Sequence, residues 1–330
     1  MGPEQLLRGH SGTLAQASVM LIRRCQGHHR GSETVTPELP FWADAWCREF
    51  LGAGPVRVLF CVSHLSEVVG VVLADGREVV VKRRVDESGR ADHCVRAQKL
   101  LAEQGFPCPM PLTGLILDDG VAVHAERFVR GGDLESDDTS SAAARSARLL
   151  ADLLRRLRGF DLDPPLPNPE WVRWDSPPER QTSAPVPSWV TDTAQRVQTK
   201  LAECALPAVL GHADWEAQNM RWRNDEPVAV YDWDSLAWLP EAALVGTAAG
   251  VFASHGKPTL APLASSAAFL DTYQTARGGP FSPNEIEIAW AASIWVALHN
   301  ARDELIYNRP MLSYETLKAQ RTERLTLARA

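Results

Sequence analysis

Residues 208–240 read AVLGHADWEAQNMRWRNDEPVAVYDWDSLAWLP, and this stretch decides the fold of the chain. It contains two apolar runs, residues 208–210 and 228–231, each of a length that suits a buried strand. The polar residues 223–227, which lie between them, are typical of a hairpin turn. The pattern therefore predicts a hairpin that brings together the polar side chains found before and after it.

Three of those polar side chains favour one kind of chemistry. Asp214 and Asn219 follow the first run, spaced as D-x-x-x-x-N, and Asp232 ends the second run. A carboxylate at Asp214 can reach a substrate hydroxyl, while the amide of Asn219 turns back toward a metal ion. A strand that ends in a carboxylate supplies the hard oxygen ligand that Mg²⁺ on nucleotide phosphates requires. The stretch therefore predicts the active centre of a phosphotransferase.

The combination of H-x-D-x-x-x-x-N, a hairpin and D-x-D resembles the aminoglycoside phosphotransferase and choline kinase family, the small-molecule branch of the protein-kinase-like fold. The resemblance implies that Asp214 is the catalytic aspartate and that Asn219 and Asp232 are metal ligands. It also implies that His212 is the histidine that holds the catalytic loop. Asp234 either contacts a second ion or caps the segment after it, and capping is favoured.

Composition limits the class of protein. The chain has 330 residues, 45% hydrophobic and 23% charged, which is enough for a large core and two lobes. No apolar run is long enough to span a membrane, and residues 1–5 do not begin a secretory signal, so we expect a cytoplasmic protein without a membrane partner. The six cysteines form no C-x-x-C pair and predict ordinary thiols. A net charge of −7 without a basic block disfavours a nucleic-acid partner.

Three strands of a meander are predicted at residues 56–62, 68–73 and 78–81, where apolar residues alternate with others or form continuous runs. In the family that the chain resembles, such a meander is the small lobe, and its first hairpin covers the nucleotide phosphates. Ser63 and Ser66 occupy that hairpin. The hairpin is not rich in glycine, so its hydroxyl and backbone N–H groups would have to bind the phosphates.

Lys82 ends the third strand and corresponds to the family's lysine that pairs with the α- and β-phosphates. Arg83 and Arg84 follow it, so a solvated basic strand end is the alternative interpretation. Because a strand alternates its faces, Lys82 and Arg84 should share one face and Arg83 should lie on the other. We favour Lys82 as the phosphate ligand.

The helix predicted at residues 91–104 should supply the glutamate that pairs with this lysine. Aligning residues 105–109, GFPCP, with the family's G-x-P-x-P places Cys94 where that glutamate is expected. The lysine clamp is therefore either incomplete or made by another residue. The candidates on the helix are Asp92, His93 and Gln98.

Residues 115–117 and 121–129 predict the last hairpin of the small lobe, which leads into the hinge. In the family, the nucleotide base binds hinge backbone groups and lies between apolar side chains. That implies base contacts at residues 126–129, including Glu126 and Phe128. Because main chain would bind most of the base, the sequence leaves ATP and GTP both open as donors.

The remainder of the chain predicts a helical lobe with one irregular insertion. Acidic residues at 133–138 precede a helix at 140–160, and capping is favoured over a role in attracting a cationic substrate. The proline-rich residues 161–187 contain Trp171 and Trp174, which either stack on a substrate ring or fix the loop to the core. Helices are predicted at residues 190–204, 241–254, 264–276, 284–306 and 314–327.

These observations predict an α+β, two-lobed protein-kinase-like fold. We expect an N-terminal helical extension at residues 1–55, a nucleotide-binding lobe at 56–130 and a catalytic, substrate-binding lobe at 131–330. The predicted reaction moves the γ-phosphoryl group of Mg²⁺-bound ATP or GTP to a hydroxyl of a small molecule, with an antibiotic as one candidate. The alternatives are a metabolic kinase for choline, an amino sugar or an amino-acid alcohol, and a nucleotide-binding pseudoenzyme, which the missing helix glutamate suggests.

Overall fold

A computed structural model of the chain describes residues 38–63, 66–134, 137–160, 166–169, 172, 186–253 and 260–330. Its N-terminal part is built on an antiparallel sheet, and its C-terminal part is mostly helical. Residues 1–37 of the expected N-terminal extension, the tip of the first hairpin, and Trp171 and Trp174 lie outside the described residues.

The N-terminal sheet has the strand order β1-β2-β3-β5-β4, and every neighbouring pair is antiparallel. Its strands match the meander and the last hairpin that the sequence predicts. Gly76, with φ of +85°, makes the tight turn between β2 and β3 in a backbone conformation that favours glycine. The strands are β1 (Pro55–Ser63), β2 (Ser66–Leu73), β3 (Glu78–Val85), β4 (Ile116–Asp118) and β5 (Val121–Arg127).

The two faces of this sheet differ in chemistry. The back face is buried against helix α1 (Ala43–Leu51), which contributes Trp46 and Cys47 to the contact. Each fully buried valine stabilises such a contact by about 1.5–3 kcal/mol, so the back face alone fixes α1 on the sheet. The opposite face carries charged and polar side chains from β3 and β5. The buried apolar side chains of the back face are Val69, Val71, Val79, Val81, Val123 and Ala125.

Helix α2 (Arg90–Glu103) connects the sheet to the helical part. It begins where the carboxylate of Asp86 accepts hydrogen bonds from the backbone N–H groups of Arg90 and Ala91, at 3.1 and 2.9 Å. It ends before Gly105, which has φ of +78°. Its buried residues Cys94, Ala97 and Leu101 belong to the core of the helical part. Helix α2 is therefore held by the larger core as well as by the sheet.

The helical part contains helices that agree with the predicted ones to within three residues at each end. Ser282 and Glu285 form a capping box at the start of α7, one residue before the predicted helix start at residue 284. None of the helices in the described ranges is long and apolar enough to cross a membrane. They are α3 (Ser140–Leu157), α4 (Ser188–Ala202), α5 (Glu241–Val251), α6 (Leu263–Arg277), α7 (Pro283–Ile306) and α8 (Leu312–Ala328).

Two antiparallel strand pairs in the helical part carry the predicted active centre. Strand β6 (Ala208–His212) pairs with β9 (Leu236–Pro240), and β7 (Met220–Arg223) pairs with β8 (Glu226–Val230). The β7–β8 pair is the predicted hairpin, and Asn224 turns it with φ of +56°. This hairpin lies between β6 and β9 in the chain, and His212 at the end of β6 contacts Tyr231, which follows β8.

Helix α5 is the centre of the helical part, since residues 242–251 are all buried. Gly246 and Gly250 lie against the backbone of α7. A Cβ atom on Gly246 would stand 2.0 Å from the carbonyl oxygen of Ala289, and one on Gly250 would stand 2.2 Å from that of Ser293. Glycine is therefore required at both positions because the two helix backbones approach too closely for a side chain.

We predict that Gly246→Ala lowers the free energy of unfolding by about 1–3 kcal/mol, because the steric conflict outweighs alanine's helix-propensity advantage of about 1 kcal/mol. Urea denaturation followed by circular dichroism measures the change. The control is Gly279→Ala, where a Cβ atom would meet no heavy atom within 4 Å. Equal or higher stability of Gly246→Ala would contradict the close approach of α5 and α7.

Candidate active site

His212 joins the loop that carries Asp214 to the end of β8. Its Nε2 atom lies 2.9 Å from the carbonyl oxygen of Tyr231, and its Nδ1 atom lies 3.3 Å from the backbone nitrogen of Asp214. A carbonyl only accepts, so Nε2 carries the proton and Nδ1 accepts the N–H of Asp214. Burial lowers the pKa of His212, against the opposing effect of Asp232. A neutral imidazole therefore links the two segments.

The 3₁₀ turn Ala217–Asn219 brings Asn219 back to Asp214. The Nδ2 atom of Asn219 donates to the backbone oxygen of Asp214 at 2.9 Å and to its Oδ2 atom at 2.7 Å. The backbone N–H of Tyr231 donates to the Asn219 carbonyl at 2.8 Å, which holds the turn against the end of β8. Since the amide nitrogen faces Asp214, the amide oxygen is the atom that could bind a metal ion.

Asp232 has an unusual backbone conformation. Its φ and ψ of +60° and +51° lie in the left-handed region, which is uncommon for a residue other than glycine. The hydroxyl of Ser235 donates to its Oδ2 atom at 2.7 Å, and the Ser235 N–H donates to its carbonyl at 3.0 Å. Such conformations are found at functional sites, where surrounding contacts hold them in place. The turn directs the Asp232 carboxyl toward Asp214.

Asp214 and Asp232 form a close pair of carboxyl groups. Burial, followed by the negative charge of Asp232, raises the pKa of Asp214 to about 7. Two adjacent carboxylates disfavour each other's ionisation, and a divalent cation would relieve that repulsion. Carboxylate and amide oxygens are also the ligands that Mg²⁺ prefers, so Asp232 and Asn219 fit this ion.

No group of three or more His, Cys, Asp and Glu side chains within the described ranges could hold a metal ion. A cation at Asp232 and Asn219 would therefore take its other ligands from a bound molecule or from water. Mg²⁺ is commonly held in this way, by one or two carboxylates together with substrate phosphates.

Across the cleft, Lys82 is paired with Glu126. Lys82 Nζ lies 3.0 Å from Glu126 Oε1, and the side chains are 14% and 2% exposed. Gln98 on α2 holds the glutamate, since its Nε2 atom donates to Glu126 Oε2 at 2.9 Å and to the Pro109 carbonyl at 2.7 Å. Burial alone would lower the pKa of Lys82, but Glu126 and the cleft aspartates keep it above its ordinary value. Lys82 is therefore a charged ammonium group.

The acid that pairs with Lys82 thus comes from strand β5 and not from helix α2. Cys94, at the expected glutamate position, is buried, and burial raises the pKa of its thiol to about 12. Asp92 lies 3.7 Å from Arg96 on the helix surface. Neither ring nitrogen of His93 has a hydrogen-bond partner in the described part of the chain. Of the three helix candidates, only Gln98 contributes, and it does so through Glu126.

An aromatic pair lies at the hinge end of the same sheet face. Phe128 follows β5, and its ring centre lies 6.0 Å from that of Phe60 on β1. Phe60 covers Gly70, where a Cβ atom would stand 2.3 Å from the ring. Phe60, Gly70 and Val80 are in register across β1, β2 and β3, and Val80 is paired with Glu126. The aromatic pair therefore shares a face with the Lys82–Glu126 pair.

Ser63 and Ser66 end β1 and begin β2, on either side of the first hairpin turn. Ser63 is exposed, and Ser66 lies opposite Arg84 in the ladder of β2 and β3. Their predicted role as phosphate ligands remains a prediction.

Asp234 makes a contact that the sequence analysis does not predict. Its Oδ1 atom lies 2.8 Å from Nη2 of Arg84 on β3, so an arginine binds the carboxylate that was expected to cap the following segment. Burial opposes ionisation of Asp234, but Arg84 and Lys82 hold its pKa below the ordinary value. Arg83 points to the other face and binds Glu67, as strand alternation predicts.

Three contributors to this region are absent from the sequence predictions: the side chain of Glu126 as partner of Lys82, the ring of Phe60, and the pairing of Arg84 with Asp234. Of these three, only the role of Phe60 could have been found from nearby sequence, because an aromatic residue directly opposite a glycine on the next strand commonly covers that glycine. The two ion pairs join residues that are far apart in the chain.

Comparison with known proteins identifies the family. Residues 65–279 match the model of the phosphotransferase enzyme family, APH. A search of curated protein sequences found no match. Several solved structures share the fold at low sequence identity.

The amicoumacin kinase hAmiN, solved with AMP-PNP, Ca²⁺ and Ami, superposes with a TM-score of 0.58 at 14% identity, over 82% of this chain and 88% of that one. Spectinomycin phosphotransferase APH(9)-Ia, solved with ADP and spectinomycin, gives 0.55 at 12% identity, over 89% and 94%. A choline/ethanolamine kinase family protein from Mesorhizobium loti gives 0.51 at 16% identity, over 81% and 86%.

These likenesses confirm the predicted kinase-like fold, with its antiparallel small lobe and helical large lobe. The family model covers the sheet from β2 onward, both strand pairs of the helical part and the loop between His212 and Asp234. The chain therefore belongs to the phosphotransferase enzyme family.

Proposed function

We propose that the protein transfers the γ-phosphoryl group of Mg²⁺-bound ATP or GTP to a hydroxyl group of a small molecule, an antibiotic being the first candidate. The observation that carries the proposal is the convergence of Asp214, Asn219 and Asp232, with Lys82 close enough that the charges of Asp234 and Asp232 act on it. Solved structures of similar fold support it, since the amicoumacin kinase contains AMP-PNP, Ca²⁺ and Ami, and the spectinomycin phosphotransferase contains ADP and spectinomycin.

Asp214 would accept the proton of the substrate hydroxyl, or orient that hydroxyl, while the hydroxyl oxygen attacks the γ-phosphorus. The new O–P bond forms as the bond from the γ-phosphorus to the β,γ-bridging oxygen breaks, and the nucleoside diphosphate leaves with the electron pair. The hydrogen bond from Asn219 Nδ2 fixes the rotamer of the Asp214 carboxyl.

Asn219 and Asp232 would hold Mg²⁺ through their side-chain oxygens, and the ion would neutralise charge on the phosphates and on the carboxyl pair. Phosphoryl transfer depends mainly on positioning and charge stabilisation, so these groups need to be fixed before the nucleotide binds. The left-handed turn at Asp232 and the two hydrogen bonds from Ser235 give that rigidity.

Lys82, held by Glu126, would bind the α- and β-phosphates, and Ser63 and Ser66 would cover them from the first hairpin. Phe128 and the neighbouring Phe60 offer flat apolar surface to the nucleotide base beside the hinge. The hinge backbone at residues 126–129 would hydrogen-bond the base, which leaves ATP and GTP both open as donors.

A metabolic kinase for choline, an amino sugar or an amino-acid alcohol is the second candidate, supported by the choline/ethanolamine kinase family neighbour. The pseudoenzyme alternative has lost its main argument, because Glu126 supplies the acid that helix α2 lacks.

The proposal predicts Mg²⁺-dependent transfer of the γ-phosphoryl group to a member of an acceptor panel. The panel contains aminoglycoside, peptide and nucleoside antibiotics, amino sugars and choline, each tested with ATP and with GTP, and mass spectrometry detects a product heavier by one phosphoryl group. An antibiotic product supports the first candidate, and phosphocholine or an amino-sugar phosphate supports the second. Nucleotide binding without any product or nucleotide hydrolysis would contradict both.

Replacing Asp214 or Asp232 should abolish most turnover for different reasons. Asp214→Asn removes the base and should lower kcat by about 10²–10⁴ while nucleotide affinity stays within about twofold. Asp232→Ala removes a metal ligand and should also weaken Mg²⁺-dependent nucleotide binding. The control is Asp225→Asn at the β7–β8 turn, an exposed aspartate paired with Arg145. Wild-type turnover of Asp232→Ala would refute the site assignment.

Glu126→Gln keeps the size of the side chain but removes the charge that compensates Lys82. We expect nucleotide affinity to fall by about tenfold, because an uncompensated buried lysine loses its charge or its position. Titration with a fluorescent ATP analogue measures the affinity. Glu67→Gln is the matched control, since Glu67 lies on the other face and binds Arg83. If the two variants bind nucleotide equally well, Glu126 has no role in holding Lys82.

A further inference from the structure

Arg84 and Asp234 form an ion pair between the two lobes, next to residues of the active site. Arg84 lies two residues after Lys82 on the same face of β3, and Asp234 lies two residues after Asp232. The distance from Arg84 Nη2 to Asp234 Oδ1 is 2.8 Å, and the two side chains are 9% and 33% exposed. The pair is thus partly shielded from water, where an ion pair is stronger than at the surface.

The side chain of Arg90, at the start of α2, binds backbone carbonyl groups of the same turn. Its guanidinium donates hydrogen bonds to the carbonyl oxygens of Asp234 and Leu236, and its Nε atom donates to the Pro167 carbonyl at 3.1 Å. One arginine therefore binds the side chain of Asp234, and a second binds the main chain around it. The turn that carries Asp232 is held from the small-lobe side at two points.

His124 on β5 keeps the Arg84 guanidinium in place. Its Nδ1 atom lies 3.3 Å from Arg84 Nη1. Burial, followed by the positive charges of Arg84 and Lys82, lowers the pKa of His124 to about 3. The imidazole is therefore neutral and can accept a hydrogen bond from the arginine. Because the His124 imidazole is neutral, it does not compete with Asp234 as a charged partner of Arg84.

We propose that Arg84 and Asp234 are positioning residues that hold the metal-binding turn at a fixed distance from Lys82. The inference rests on the proposed function, in which one nucleotide is bound by Lys82 through its phosphates and by Asp232 through Mg²⁺. Both contacts form together only if β3 and the turn after β8 keep their separation. The ion pair joins these two segments two residues from each contact.

The same ion pair argues against Asp234 as a ligand of a second cation. Its carboxylate is bound by Arg84, and a cation placed there would be repelled by that guanidinium and by Lys82, whose charge also acts on Asp234. A ligand role and a positioning role make different predictions for Arg84. Removal of Arg84 frees the carboxylate for a cation in the first case, and disrupts the site in the second.

The test measures how strongly Mg²⁺ tightens nucleotide binding. A fluorescent ATP analogue is titrated with and without Mg²⁺ into the full-length wild type, Arg84→Ala, Asp234→Asn, the double variant and Arg84→Lys. Mg²⁺-dependent ATP hydrolysis gives kcat and KM for each. The matched control is Arg83→Ala, on the opposite face of the same strand. Circular dichroism and thermal unfolding show whether each variant is folded.

The proposal predicts that Arg84→Ala and Asp234→Asn each reduce, by about tenfold, the factor by which Mg²⁺ increases nucleotide affinity. The double variant should reduce this factor no more than either single variant does. Their affinity for nucleotide without Mg²⁺ stays close to that of the wild type, and kcat falls more than KM rises. Arg84→Lys, which keeps the charge and is the variant to read if Arg84→Ala does not fold, restores most of the tightening. Arg83→Ala behaves as the wild type does.

Three results overturn the proposal, and the first two distinguish its failure from the failure of the proposed function. If the wild type binds the nucleotide more tightly with Mg²⁺ but Arg84→Ala and Arg84→Lys do so equally well, the ion pair positions nothing and the proposed function stands. If the wild type itself does not bind the nucleotide, the proposed function fails and the positioning role fails with it. Additive losses in the double variant would also refute a shared role.

Discussion

A buried ammonium group is stable only beside a carboxylate, and this constraint shapes the cleft. Isolated charges taken out of water cost several kcal/mol each, so Lys82 needs an acid within contact distance. Helix α2 has no such acid facing the sheet, and Glu126 on β5 fills the role with support from Gln98. The front face of the sheet is therefore arranged around pairs of opposite charge, one inside the small lobe and one reaching the large lobe through Arg84.

The segment that precedes the catalytic loop is held by close packing, which is a different physical effect. Gly211 precedes His212, and a Cβ atom there would stand 2.5 Å from a methyl group of Leu244 on α5. The same helix lies against α7 through Gly246 and Gly250. Close packing thus extends from α7 through α5 to the strand that carries His212. Dense packing of this kind is hard to compress, which suits a loop whose hydrogen bonds must keep their geometry.

The sequence predicts the parts of the site that depend on local pattern. The strands of the small lobe, the hairpin at residues 220–230 and the start of α7 follow from alternation, turn residues and a capping box, all of which act within a few residues. The partners of Lys82 and Arg84 do not follow from it. Glu126 is 44 residues from Lys82 and Asp234 is 150 from Arg84. Any acid at the right distance in space satisfies a buried base, so local pattern cannot select it.

The location of Glu126 on strand β5 affects how the Lys82 ion pair could be regulated. In protein kinases the lysine pairs with a glutamate on a mobile helix, so a shift of that helix breaks the pair and switches the enzyme off. Here the two charges stand on neighbouring strands of one hydrogen-bonded sheet, which move as one body. Displacement of α2 would remove the Gln98 contact but would leave the ion pair intact. Movement of α2 alone therefore cannot switch the Lys82–Glu126 pair on or off.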